Sequence, residues 1–152
     1  MIARRAVLIG AALLVGRRAM AQAVIFQTTS ITIVARSGRY PFLLQVADTQ
    51  KKVELGLRFQ NSIPPDGGML FSAGSRPVIM TIITQGLMLT TDIAFIGPAG
   101  SVVELHRNVR PNGPDVVSTM LVSAAIQLHS GTIDRIGMSF GDRIIGMAGQ
   151  GI

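Results

Sequence analysis

Glu104 and His106 stand two residues apart in an apolar-rich stretch, and in an extended strand that spacing turns both side chains to one face. His129 ends another such stretch and Asp92 begins a third. If the fold gathered Glu104, His106 and His129, two imidazoles and a carboxylate could hold zinc or iron and activate water for hydrolysis. No His-x-His or His-Glu-x-x-His spacing supports that gathering. The alternative is a solvated strand face with a histidine at a loop end. Asp92 has two readings of its own: a structural carboxylate that caps a turn or pairs with Arg76, or a member of a site. The structural reading is the better supported, since ion pairs and caps are the commoner use of such a group.

Other chemistries are excluded more firmly. There is no cysteine, hence no thiolate zinc site, iron–sulfur cluster or thiol nucleophile. No Gly-x-Ser-x-Gly elbow and no phosphate-binding Gly-x-x-x-x-Gly-Lys motif occurs. Eight acidic residues and one tyrosine do not suggest a glycosidase cleft. The sequence implies no cofactor and leans away from an enzyme. The first functional expectation is a non-enzymatic binding module for a small ligand or an envelope protein. The second is the metal-assisted hydrolase.

The elements that must position these groups begin after a distinctive N-terminus. Arg4 and Arg5 precede an apolar run at residues 6–16, and Ala19, Ala21 and Ala23 supply small residues in a cleavage pattern. The run is too short to cross a bilayer, which takes about 20 residues, and fits a secretory signal. The expected signal peptide is residues 1–21, cut after Ala21 or Ala23, with a single domain at 22–152. The mature protein is then exported, periplasmic or secreted, with no stable transmembrane span.

Cleavage also changes the charge. Fourteen basic residues face eight acidic ones in the whole chain, but Arg4, Arg5, Arg17 and Arg18 leave with the signal. The remaining ten are scattered, so no nucleic-acid partner is expected.

The mature sequence reads as about eight short strands and two short helices. Ile31, Ile33 and Ala35 alternate as in a half-buried strand. Residues 40–47, 69–71, 77–84, 91–96, 101–107, 124–128 and 142–147 read as further strands. Asp48-Thr49 can cap a helix over residues 49–57, and Gly137 can stop a second helix opening at Ser130, Gly131 and Thr132. Residues 108–119 are rich in turn formers and read as a loop. The expected architecture is mainly β, a β-sandwich or jelly-roll-like single domain with two short helices.

Several short motifs, in order, resemble a known family. They are Gly56-Leu57 with Phe59, then Gly68-Met69-Leu70-Phe71, Arg76-Pro77-Val78 and Asp92-Ile93-Ala94-Phe95-Ile96. Ile126-Gln127-Leu128, Gly131, Arg135-Ile136-Gly137 and Gly141-Asp142-Arg143 complete the series. Together they resemble domain-of-unknown-function family 192, small exported prokaryotic proteins. The resemblance implies a compact, mainly β fold and an envelope location, and it supplies no activity. This chain departs from the family pattern in places. The family's Trp-Met-Lys-like segment is replaced by apolar residues 79–91, a Glu is Gln127 and an Asn is His129. So much apolar surface predicts a shallow groove along 79–91, with Arg76 and Asp92 as its polar edge and Met80 and Met88 as candidate ligand-binding residues along it. The alternative is burial of the segment as ordinary core.

Overall fold

A computed structural model describes residues 23–147, so the expected signal lies outside the described residues. The chain forms β1 (Gln27–Ala35), β2 (Gly38–Ala47), α1 (Gln50–Leu55), β3 (Gly67–Ser72), β4 (Thr81–Ile82) and β5 (Thr91–Ile96). It continues through β6 (Val102–Val109), β7 (Val116–Val117), β8 (Ala124–His129), α2 (Thr132–Ile136) and β9 (Arg143–Ile145). A mainly β single domain with two short helices is therefore what the sequence folds into.

Seven strands make one sheet in the order β6-β5-β8-β3-β2-β1-β9, and β4 pairs with β7 in a separate ribbon. Neighbours in the main sheet are antiparallel, except that β2 and β3 run parallel. A parallel pair needs a crossover, and α1 with the loop at 56–66 provides it. The sheet curls until its edges meet. Ser101 bridges Arg143, Val102 N donates to Asp142 O at 2.8 Å, and Ile144 N donates to Gly100 O at 2.9 Å.

Strand alternation then builds two cores, one on each face. Ile31, Ile33, Leu44, Leu70, Ala94, Ile96, Ile126 and Leu128 fill the concave inside with Ile133 and Ile136 of α2. Met69, Phe71, Ile93, Phe95 and Ala125, from the same strands, point outward instead. There they are covered by Leu57 and Ile63 of the crossover and by Ile82 and Val116 of the ribbon. The outer layer is thus a crossover and a ribbon laid on the sheet.

Local signals account for the helices. Thr49 caps α1, its hydroxyl accepting from Lys52 N at 3.3 Å, and α1 is shorter than the expected 49–57. Gly137 closes α2 at φ 66°. Two expectations needed adjustment. The run at 77–84 keeps only Thr81–Ile82 as strand, with Val78 bridging Val122. The region at 108–119 also contributes β7, because Val116 and Val117 find Ile82 and Thr81 across the fold. No helix among the described residues is long and apolar enough to cross a membrane.

Candidate functional site

Glu104 and His106 do meet, His106 Nε2 lying 2.6 Å from Glu104 Oε1. Register explains it: Glu104 faces Phe95 and His106 faces Ile93 on β5, so both stand on the outer face. The imidazole sits edge-on to Phe95, with ring centroids 5.8 Å apart. The other carboxylate oxygen of Glu104 accepts from Thr119 N at 2.9 Å and from Thr119 Oγ1 at 2.8 Å. Glu104 therefore straps the segment after β7 onto β6. His129 is not part of this cluster. It lies on β8, opposite Thr91 and across β5 from His106, and its Nδ1 contacts Ser130 O. Two strand spacings separate the imidazole-bearing backbones by roughly 10 Å. No group of three His, Cys, Asp or Glu among the described residues could hold a metal ion.

The strap is sensitive to pH. Burial alone would raise the Glu104 pKa. The hydrogen bonds from Thr119 N–H, His106 and the Thr119 hydroxyl, together with the His106 charge, outweigh burial and hold the carboxyl below its ordinary value. A carboxylate with a depressed folded pKa contributes stability that is fully present above its unfolded value. That contribution is lost as pH falls through the folded value. Glu104→Ala is therefore expected to cost about 1–3 kcal/mol near neutrality, the scale of charge-assisted bonds to a half-buried carboxylate. The difference from wild type should shrink below about pH 4. Urea denaturation of both proteins across that range is the check, and a gap that stays constant would refute the assignment.

The four residues expected to line a groove are not gathered into one site. Arg76 is exposed in the turn after β3. Met80 is buried in the outer core at 7% exposure, whereas Met88 is 58% exposed. Asp92 is buried and belongs with Ala94 and Ile96 to the inner face, turned away from Met80. Its Oδ1 accepts from Asn108 N and its Oδ2 from Ile133 N, both at 2.9 Å. Asp92 is thus the cap of α2, and no Arg76 pair forms.

The 79–91 segment divides between core and surface. Met80, Ile82, Thr84 and Leu87 are buried, while Ile79, Ile83 and Met88 are exposed. The loop at 110–115 is clasped to it. Thr84 N donates to Asp115 Oδ1, Gly86 N to Asn112 Oδ1, and Asn112 N to Thr84 O, each at 2.9 Å.

A concavity lies elsewhere, under the crossover. A crevice of about 190 Å³ opens on the outer face of β1, β2 and β3. Leu43, Leu57, Ile63 and Pro64 form its apolar walls. Gln45 and Gln60 meet at its side, Gln60 Nε2 donating to Gln45 Oε1 at 2.7 Å. Gly67 and Gly68 line it from β3, and the missing side chain of Gly67 is what leaves the space. A Cβ on Gly67 would lie 3.0 Å from Pro64 Cδ. Sequence reasoning began the strand at 69 and did not single out this site. The usable signal was a Gly-Gly pair at the mouth of a buried strand, where glycine often marks close approach.

The profile of a family described as DUF192, Uncharacterized ACR, COG1430, matches residues 32–146. Two solved structures are similar. One is a proposed transcription regulator from Sinorhizobium meliloti 1021, 27% identical, covering 82% of this chain and 98% of that one with a TM-score of 0.78. The other is a protein of unknown function from Novosphingobium aromaticivorans DSM 12444, 25% identical, covering 83% and 93% with a TM-score of 0.75. No curated protein matches the chain.

Proposed function

The chain belongs to the DUF192 family, and on that footing we propose that it is an exported, non-enzymatic module that binds a small, mostly apolar ligand in the crevice under the crossover. The observation that carries this reading is the crevice itself. Its 190 Å³ exceeds the roughly 150 Å³ of an apolar cavity that accepts benzene. Apolar walls with a few placed polar groups are the usual composition of a small-molecule site. The Gln45–Gln60 pair leaves one amide NH₂ and one amide carbonyl to orient a ligand. A small ligand is preferred to an envelope protein because the exposed row of Ile79, Ile83 and Met88 is a surface without such polar anchors. Although one similar structure is described as a transcription regulator, the scattered bases of the mature chain favour a ligand other than nucleic acid.

Benzyl alcohol, an aromatic ring with one hydroxyl, is a suitable probe. Titration should shift the side-chain amide resonances of Gln45 and Gln60 saturably. Leu43→Trp should abolish the shifts by filling the crevice from a side chain that is 55% exposed. A titration with no saturable shift at either glutamine would defeat the proposal.

Export is part of the same reading. β1 begins at Gln27, so cleavage after Ala21 or Ala23 leaves every described strand whole. The envelope form is expected to start at Gln22 or Val24. N-terminal sequencing that found Met1 or Ile2 on envelope protein would contradict export by cleavage.

A further inference from the structure

We infer that the end of the curled sheet formed by the β1–β2 turn and the Ser139–Asp142 turn docks on an anionic lipid surface, with arginines on the phosphates and Phe140 dipped between the lipids. Bases that are scattered in the sequence converge there. Val34 on β1 faces Arg39 on β2 and Arg143 on β9. Facing partners point the same way, so both arginines share the outer face with Val34. Two strand spacings put their backbones roughly 10 Å apart. Arg36 stands in the turn between β1 and β2. All three are exposed. The salt bridges among the described residues join Lys52 to Asp48, His106 to Glu104 and Arg107 to Asp134, so none engages them. The acid next to Arg143 is turned inward: Asp142 is 8% exposed, and its Oδ2 accepts from Ser139 N at 2.7 Å.

The same Asp142 holds Phe140 out. Besides that carboxylate bond, Asp142 N donates to Ser139 O at 3.1 Å and closes the turn. Gly141 takes the positive φ, 88°, at its third position, and Gly141 N donates to Val102 O at 2.8 Å, which ties the turn to β6. Phe140 is left at the tip, 74% exposed. The β1–β2 turn abuts the chain just before it, the Ser37 hydroxyl donating to Ile136 O at 2.5 Å. Farther along the outer face, Thr32 faces Pro41 and Ile145, and Ile145 is 44% exposed. The outer core draws no residue from β1 or β9, so this part of the sheet is uncovered.

Exposed apolar side chains set among unpaired bases are the composition of surfaces that lie on anionic membranes. Guanidinium forks match lipid phosphates, and arginine stems can lie along apolar surface while their charged heads stay at the phosphate level. Nucleic acid fits less well. A single ring on a protruding turn offers no basic groove with successive stacking platforms. This surface does not depend on the crevice, whose residues on β1 and β2 are Thr28, Leu43 and Gln45.

The test is co-sedimentation of the protein from Gln22 onward, which keeps every described strand, with vesicles of phosphatidylglycerol and phosphatidylcholine in equal parts or of phosphatidylcholine alone. Binding to the mixed vesicles is expected, weakened by sodium chloride, with none to the neutral ones. Arg39→Gln with Arg143→Gln should weaken it about tenfold or more, and Phe140→Ala about fivefold or more. Each changes an exposed side chain, so the melting temperature should stay that of wild type. Lys51→Gln, on α1, should bind as wild type does. Equal affinity for neutral vesicles, no binding to either kind, or affinity unchanged in the double variant or in Phe140→Ala overturns the inference. Duplex DNA that binds more tightly than the mixed vesicles and displaces them would give the surface to nucleic acid and overturn it too.

Discussion

Replacing Gly68 by alanine is expected to destabilise the domain more than any other single methyl. Gly68 lies in β3, between Leu44 on the parallel side and Leu128 on the antiparallel side. A Cβ there would stand 2.2 Å from Gln127 O, and Leu128 Cδ2 is only 3.0 Å away. The obstructing oxygen is β8 backbone, so relief requires moving a central strand of the sheet. The backbone itself, at φ 151°, is one that residues with side chains rarely adopt. Steric and conformational costs together should exceed about 3 kcal/mol, a large part of a typical stability of about 5–15 kcal/mol. For a domain of this size that lowers Tm by about 10 °C or more. Gly74→Ala is the matched control: it too has a positive φ, 77°, but nothing lies within 4 Å of the added carbon. Its cost should stay near 1 kcal/mol. Thermal unfolding followed by circular dichroism compares the two, and equal melting temperatures would contradict this account of β3.

Asp92→Asn is expected to have the next largest effect. The carboxylate is 1% exposed and both oxygens are used, one by Asn108 N and one by Ile133 N. It thereby ties the irregular end of β6 to the start of α2, a helix whose N-cap residue, Gly131, has no side chain to cap with. Asparagine offers one acceptor and one donor. Whichever way it turns, an NH₂ faces a backbone N–H, leaving a buried donor unsatisfied. The loss should be about 2–4 kcal/mol, the scale of charged hydrogen bonds broken in a buried place. Hydrogen exchange gives a local readout: the Ile133 or Asn108 amide should lose protection beyond that explained by the global change. Protection equal to wild type at both amides would remove Asp92 from this role.

The structural role of Asp92 was already half visible in the sequence. Asp92, Ala94 and Ile96 share one parity and Ile93 and Phe95 the other, so period 2 alone separates Asp92 from any site on the outer face. Reading it as the edge of a groove along 79–91 overlooked that parity. Period 2 also placed Glu104 beside His106 correctly. The Thr49 cap and the Gly137 stop were legible because caps are local chemistry. The β4–β7 ribbon was not legible, since two-residue strands carry no periodicity and Thr81 pairs with Val117 only through tertiary structure. The meeting of the sheet edges at Ser101 and Arg143 belongs to the same class. The crevice was hidden for a related reason. It depends on where the 56–66 crossover lies on the sheet, which the order of residues does not state.

The most direct test of the binding account is native mass spectrometry of the protein isolated from the cell envelope, wild type beside Leu43→Trp. The account predicts a wild-type mass raised by one small, mostly apolar molecule, released on gentle activation, and a Leu43→Trp protein of equal melting temperature that carries none. A wild-type protein of bare polypeptide mass, or an adduct that persists unchanged in Leu43→Trp, would contradict it.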